Sequence, residues 1–371
     1  MPFHVLRRGL AVATVLLTAG IAAPRAAAAE TAAPYLPAPT GAHPVGTTSL
    51  YLKDVSRPDP WVPSANAREV MVSLWYPATS AGSQRARYLT PKESELLLTS
   101  SEITSVPPDI LSRTRTNAYT DAEPAGGRRP LVVLSPGFPW PRSSLTALAE
   151  ELASHGHLVA AIDHTYENHG MTFPDGRVVT CAACGRPDAG DFEKTVVQSR
   201  ARDVPFVLDE LTRKYPTRID RSRIAMAGMS MGGASVGETM LADPRVRAGI
   251  NLDGRMFKDL PGSGLSRPFL IFGAEGAEAS WDRNWPHLTG WKRRLTVAGS
   301  IHPSFTDYDM LTRQIGVPFG GKLAGTRSVE ITRRYVRAFL DLHLRGGPQP
   351  LLDRPSRRYP EVRFCAPETC R

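Results

Sequence analysis

From residue 130 onward the chain repeats one pattern: a short apolar run, then a longer stretch with apolar residues every three or four positions. The runs fall at 131–134, 158–162, 224–227, 248–252, 269–272 and 295–297. Short runs without polar alternation predict strands covered on both faces. Residues 144–155 carry Leu145, Leu148 and Leu152 at helical spacing. Residues from about 191 to 215 read as a long helix, interrupted or kinked at Pro205. Residues 232–241 form another helix, and 329–344 an amphipathic one that closes the chain, with 295–297 expected as the last strand. Strands alternating with helices predict an α/β fold: a mostly parallel central sheet with helices on both faces. Upstream, the alternating, β-rich stretch 68–76 reads as a strand closed by Pro77. Residues 92–127 show no clean period and form either a cap over a site or a surface excursion.

The first residues follow a different grammar. His4, Arg7 and Arg8 precede an apolar run from Gly9 to Ala23, and Ala27, Ala28 and Ala29 offer a small-residue cleavage site. That is an export signal over residues 1–29, too short for a spanning helix, and Arg7-Arg8 hints at the twin-arginine route. A mature secreted chain beginning near Glu30 then has an extended lead-in over 30–45, expected to be poorly ordered, and a single domain over 46–371.

Removing the signal lowers the net charge from +9 to +6, because Arg7, Arg8 and Arg25 leave with it and no acid does. The remaining cations are scattered without a Lys/Arg stripe, which argues against nucleic acid as a partner. Mild attraction to an anionic lipid surface is compatible with this charge. The four cysteines form two close pairs, Cys181/Cys184 and Cys365/Cys370. In an exported chain they read as two disulfides, with local pairing favoured among three connectivities. The alternative is a zinc site using Cys181, Cys184 and His164 or His169.

The chemistry centres on residues 223–233, R-I-A-M-A-G-M-S-M-G-G, which contain G-x-S-x-G at Gly228, Ser230 and Gly232. A nucleophilic serine at a sharp strand-to-helix turn needs small residues two positions either side, and the pattern has the apolar run before it and the helix after it. In such folds the order is nucleophile, acid, base, so the base lies among His287, His302 and His343. His302 sits in a turn after an apolar run, whereas His287 lies in a Trp-rich stretch and His343 on the closing helix. The acid is Asp253, closing the run at 248–252, or Glu275, after the next run; spacing leaves both open. The oxyanion hole calls for the Met231 N–H and one from the loop after an early strand, where Gly137 allows the Phe138 amide to turn inward. Phe138, Trp140 and Phe305 are candidates to line an acyl pocket.

With these residues in hand, the chain resembles the plasma-type (group VII) platelet-activating factor acetylhydrolase family over most of its length. P-V-G-T at 44–47 and L-W-Y-P at 74–77 are similar to the family's opening strands. S-P-G-F at 135–138 resembles its S-H-G-Φ loop, and G-M-S-M-G-G at 228–233 its G-H-S-F-G-G. L-D-G-R-M-F at 252–257 resembles L-D-x-W-M-F, and G-S-I-H-P-S-F-T-D-Y at 299–308 resembles G-S-V-H-x-N-F-x-D-F. The resemblance implies an α/β-hydrolase fold, Ser230 as nucleophile, Asp253 as acid, His302 as base, and Phe138 and Met231 as oxyanion donors. It implies hydrolysis of short or oxidised sn-2 acyl groups of phospholipids, with neither metal nor organic cofactor. Met229, Pro136 and Arg255 depart from the pattern, and the C-A-A-C stretch at 181–184 is an addition.

The rival enzymatic reading is a secreted esterase, lipase or cutinase-like hydrolase of broader taste; an amidase or peptidase can use the same triad. A catalytically silent hydrolase fold used for binding would need a broken triad. Transient contact with a lipid surface would use Leu96, Leu97, Leu98 and residues 315–323; the oligomeric state is not set by sequence.

Overall fold

A strand covered on both faces sends alternate side chains into two separate cores, and that division organises this molecule. Val132, Leu134, Ala225, Ala227, Ile250, Leu252, Leu270 and Phe272 enter one core; Leu131, Val133, Ile224, Met226, Phe269 and Ile271 enter the other. Each fully buried aliphatic or aromatic side chain contributes about 1.5–3 kcal/mol, which is why these short runs specify strands. The structure, a computed structural model, describes residues 32–186, 190–276 and 278–365. The expected export signal at 1–29 lies outside the described residues.

The strands are β1 (Val45–Asp54), β2 (Arg68–Pro77), β3 (Arg129–Ser135), β4 (Leu158–His164), β5 (Met171–Thr172), β6 (Val178–Val179), β7 (Ile219–Met229), β8 (Val246–Leu252), β9 (Phe269–Ala274), β10 (Lys292–Val297) and β11 (Val362–Cys365). Among the described residues the main sheet has the order β1-β2-β4-β3-β7-β8-β9-β10-β11, and β5 and β6 form a separate hairpin. Pairing is parallel from β4 through β3, β7, β8 and β9 to β10, and antiparallel at both edges. The helices are α1 (Pro91–Ser100), α2 (Thr146–Ser154), α3 (Phe192–Lys214), α4 (Met231–Ala242), α5 (Ala279–Asn284), α6 (Tyr308–Gln314) and α7 (Gly325–Arg345). The side chains of α2 and α7 fill the first core, and those of α3 and α4 fill the second. Helices thus cover both faces of a mostly parallel sheet, the expected α/β-hydrolase architecture, and Thr31–Arg371 forms one compact unit.

Four details differ from the sequence reading. The lead-in is extended but pinned: Leu36 is 3% exposed, its N–H donates to the Arg115 carbonyl at 2.9 Å, and the Thr40 N–H donates to Glu151. The helix α3 runs through Pro205 without interruption, although the ring removes one backbone donor and crowds the preceding turn; Val204, Val207, Leu208 and Leu211, buried in the second core, hold it there. The stretch 92–127 holds α1, capped by a Thr90–Glu93 capping box, packed on a core of its own. The run at 295–297 is not the last strand; β11 adds antiparallel at the edge, a pairing four residues cannot advertise. Leu97, Leu98 and Ile315 are buried in that third core, so of the residues expected to touch a lipid surface only Phe319 is a large apolar side chain in full view. Among the described residues, no helix is long and apolar enough to cross a membrane.

Candidate active site

β7 ends at Met229 and α4 begins at Met231, which leaves Ser230 alone at the corner with φ 54° and ψ −120°. A side-chain-bearing residue holds that conformation at a cost of about 1–3 kcal/mol, so the surroundings impose it. The Ser230 N–H donates to the Leu252 carbonyl at 2.9 Å, and its own carbonyl accepts the Ala234 N–H at 2.8 Å. The flanking glycines are steric necessities. A Cβ on Gly228 would lie 2.2 Å from the Gly232 carbonyl carbon, and one on Gly232 would lie 2.1 Å from the Ser135 carbonyl oxygen. The G-x-S-x-G spacing is therefore what lets β7, β3 and α4 meet behind the serine.

Asp253 follows β8 directly, with φ 53°, its N–H bonded to the Phe272 carbonyl at 3.0 Å. Its Oδ1 accepts the Ala274 N–H at 2.8 Å, and its Oδ2 lies 2.5 Å from Nδ1 of His302. The turn after Asp253 is locked by two buried side chains that sequence reasoning missed. Asn251 accepts the Gly254 N–H at 2.7 Å and donates to the Gly254 carbonyl, which also accepts from Trp281 Nε1 at 2.7 Å. Asn251 interrupts the apolar run 248–252, and an amide at that position was the one available signal. His302 begins a short 3₁₀ turn after β10, held by the Ile301 N–H donating to Ser304 Oγ, which in turn donates to Asp309.

Glu275, the other candidate acid, stands in the same cleft wall but is otherwise engaged. It accepts the Gly299 N–H at 3.1 Å and pairs with Arg363 of β11 at 2.6 Å, bracing the turn that carries His302. His287 lies in a 3₁₀ turn whose carbonyl accepts the Leu265 N–H. His343 packs 4.4 Å from the Trp291 ring, and burial pushes its imidazole down to about 4.

The loop after β3 carries the second expected oxyanion donor. The Gly137 carbonyl accepts the Trp140 N–H at 2.9 Å, which directs the Phe138 N–H of that trans peptide the opposite way. Among the described residues the Phe138 N–H has no backbone partner, and the Met231 N–H at the first position of α4 has none within its helix. Beneath this loop lies a buried ionic cluster that the sequence did not announce. Arg200 of α3 holds the Pro136 carbonyl and pairs with Glu167 at 2.8 Å. His164 bridges Ser135 Oγ at 2.9 Å and Asp203 Oδ2 at 2.6 Å, and Arg68 joins Asp203 to Asp59. Burial lowers the His164 pKa; for Asp203 burial pulls the other way, but the Arg68 charge holds its carboxyl well below the ordinary carboxylate range. Both ring nitrogens of His164 are thus engaged, and Cys181 and Cys184 are joined in a disulfide, so the zinc alternative has no thiolate donors. The other expected pairing, Cys365 with Cys370, reaches a residue outside the described ones.

Ser230, Met231, Asp253 and His302 line one open cleft of about 470 Å³, together with Arg255, Phe257, Glu275, Glu278 and Trp281. Trp140 stands beside it, its ring 6.5 Å from that of His302. Phe305 does not line the cleft: it is 3% exposed and packs edge-on against Phe272 in the core. Of the three departures from the family pattern, Met229 is buried, Pro136 offers its carbonyl to Arg200, and Arg255 enters the cleft as an exposed cation.

The profile of the family described as platelet-activating factor acetylhydrolase, isoform II, matches residues 28–174 and 189–346. The chain belongs to that family. A curated relative from Arthroderma benhamiae, a probable 1-alkyl-2-acetylglycerophosphocholine esterase, is 28% identical over 89% of this chain and 93% of its own length. A solved structure, the ferulic acid esterase from Streptomyces cinnamoneus, superposes with a TM-score of 0.83 at 44% identity, covering 90% of this chain and all of that one. Cutinase est2 from Thermobifida alba is 32% identical over 39% of this chain and 40% of its own. These relatives make the chain an ester hydrolase by family.

Proposed function

We propose that this chain hydrolyses carboxylic esters through Ser230, His302 and Asp253 in a two-step acyl transfer. The observation that carries it is the 2.5 Å contact between His302 Nδ1 and Asp253, at the ends of two strands, in the cleft that also holds the strained corner at Ser230. His302 Nε2 takes the Ser230 proton as Oγ attacks the ester carbonyl, and Asp253 keeps the imidazole in the right tautomer and steadies its charge. The Phe138 and Met231 amides receive the oxyanion. Collapse expels the alcohol, protonated by His302, and a water activated by the same ring releases the acid and restores Ser230.

For the substrate we read a water-soluble ester of an aromatic acid. The solved relative at 44% identity is a ferulic acid esterase; Phe257 lines the cleft, Trp140 stands beside His302, and Phe138 packs on the cluster that holds Met231. A second reading, release of short sn-2 acyl groups from phospholipids, is favoured by the family match along most of the chain. The buried Leu97, Leu98 and Ile315 weigh against a broad lipid-docking face. We read the protein as secreted, from the pattern at residues 4–29 and from the Cys181–Cys184 disulfide.

The test compares kcat/KM for methyl ferulate, p-nitrophenyl acetate and a 2-acetyl phospholipid, without calcium, in wild type and in Ser230→Ala, Asp253→Ala and His302→Ala. Each variant is expected to lose about 10³-fold or more. Activity retained in Ser230→Ala would end the reading; phospholipid turnover well above ferulate turnover would put the second substrate first.

A further inference from the structure

The C-A-A-C stretch is the one sequence feature that the ester-hydrolase chemistry leaves without a task. It also falls outside the family pattern, because the matched stretches stop at residue 174 and resume at 189. In the fold this addition is not peripheral. Ala183, at the centre of the disulfide-closed loop, is fully buried in a cluster with Trp61, Phe192, Val196 and Met231, and Cys181, Ala182, Phe138 and Tyr166 pack against it. Phe138 and Met231 are the two residues proposed as oxyanion donors, and Met231 also lines the cleft. The added loop therefore shares a packed cluster with Met231, a residue of the cleft wall, and with Phe138 beside it.

Tyr166 gives a second, independent sign. Its φ of 64° lies in the left-handed region, where an aromatic residue stays only when its surroundings hold it, and such strain collects at functional positions. The holding contact comes from the added loop: the Ala183 N–H donates to the Tyr166 carbonyl at 3.0 Å. On the same cluster, the Phe138 and Phe192 rings meet edge to face at 5.2 Å, and Trp61 lies 5.6 Å from Phe192. A disulfide across three residues, with the Cys184 N–H turned onto Cys181 Sγ at 3.1 Å, leaves the loop little freedom to move away.

We propose that the loop Cys181–Cys184 and Tyr166 back the Met231 side of the cleft from behind and hold it as a specificity-determining wall, shaped to favour a planar aromatic acyl group. The inference rests on the Ser230 ester-hydrolase reading and adds to it which part of the chain selects the acyl group. An aromatic acyl long enough to lie along a firmly backed Met231 wall gains contact that acetyl, too small to extend along it, does not. The wall thus acts on the ratio of the two rates rather than on the chemistry common to both.

The experiment measures kcat/KM for p-nitrophenyl ferulate and p-nitrophenyl acetate, which share a leaving group, in wild type, Cys181→Ser/Cys184→Ser, Tyr166→Ala, Tyr166→Phe and Ser230→Ala. The ferulate-to-acetate ratio is expected to fall about tenfold in the double-cysteine variant and in Tyr166→Ala. It is expected to stay within about threefold of wild type in Tyr166→Phe, which keeps the ring. Tyr166→Ala leaves the disulfide in place, so it tests the wall even where the double variant folds poorly, and a thermal melt reports on folding in each. An unchanged ratio, or an equal fall of both rates, overturns the wall while Ser230→Ala still abolishes turnover. Turnover surviving in Ser230→Ala would instead overturn the nucleophile, and the wall with it.

Discussion

Two carboxylates compete for one role at the residue scale, and their partners separate them. Asp253 accepts one backbone N–H and turns its other oxygen to His302, whereas Glu275 spends both oxygens on Gly299 and Arg363. Asp253→Asn keeps the shape but presents an amide to Nδ1 and so disfavours the required tautomer; kcat is expected to fall about 10⁴-fold. Glu275→Gln retains an acceptor for the Gly299 N–H and loses a half-exposed ion pair, a contact worth about 0–1 kcal/mol, so kcat/KM is expected to fall less than tenfold. Steady-state kinetics of the two variants on one ester decides between them. If Glu275→Gln proved the more damaging, the acid would have been misplaced by one strand.

The helix α3 matters beyond the face it covers at the element scale. Val204, Val207, Leu208 and Leu211 pack its inner side into the second core, and one turn nearer its start Arg200 reaches under the oxyanion loop. Arg200→Met leaves Glu167 as a buried charge without its closest cation and frees the Pro136 carbonyl. Breaking such a pair costs about 3–5 kcal/mol, measurable as a lower urea midpoint. A loop displaced by a fraction of an ångström also loses oxyanion stabilisation. The expected kinetic signature is kcat down by about tenfold to a hundredfold with KM nearly unchanged, read below the variant's melting temperature.

Buried histidines couple stability to pH at the scale of the whole molecule. Burial lowers the pKa of His157, His164 and His343, the last to about 4, and His343 Nε2 has no hydrogen-bond partner among the described residues. The unfolded chain binds these protons near the ordinary histidine value of about 6.5, the folded chain only at lower pH. Their contribution is therefore fully present above that value and is lost as pH falls from about 6.5 toward 4. The buried carboxyl of Asp307, held well above the ordinary range by burial, opposes this trend. Comparing variants isolates the effect: between pH 7 and pH 5 the melting temperature of His343→Phe is expected to drop less than that of wild type. Parallel curves in a calorimeter would show that His343 is not neutral in the fold.

Across that same molecule, the parallel part of the sheet, its covering helices and the strand-to-helix corner at Ser230 could be read from order along the chain. Apolar runs such as 131–134 and 269–272 are local statements about burial on two faces, and G-x-S-x-G is a local statement about one turn. The place of His302 in a turn after a strand was readable as well, because it is a matter of order. What the chain order could not contain was proximity between segments far apart in sequence. Glu275 is engaged by Arg363 of β11, 88 residues away, and Asp253 by His302, 49 residues away. Phe305 left the pocket for the core, and Leu97 and Leu98 closed a third core, because side-chain direction depends on what packs opposite. The cluster of Arg68, His164, Arg200 and Asp203 reads in sequence as scattered charges, yet folding brings their opposite charges together where water is absent. Local propensity and spacing are properties of the chain itself; desolvation, charge pairing and the walls of a cleft exist only once distant segments share a surface.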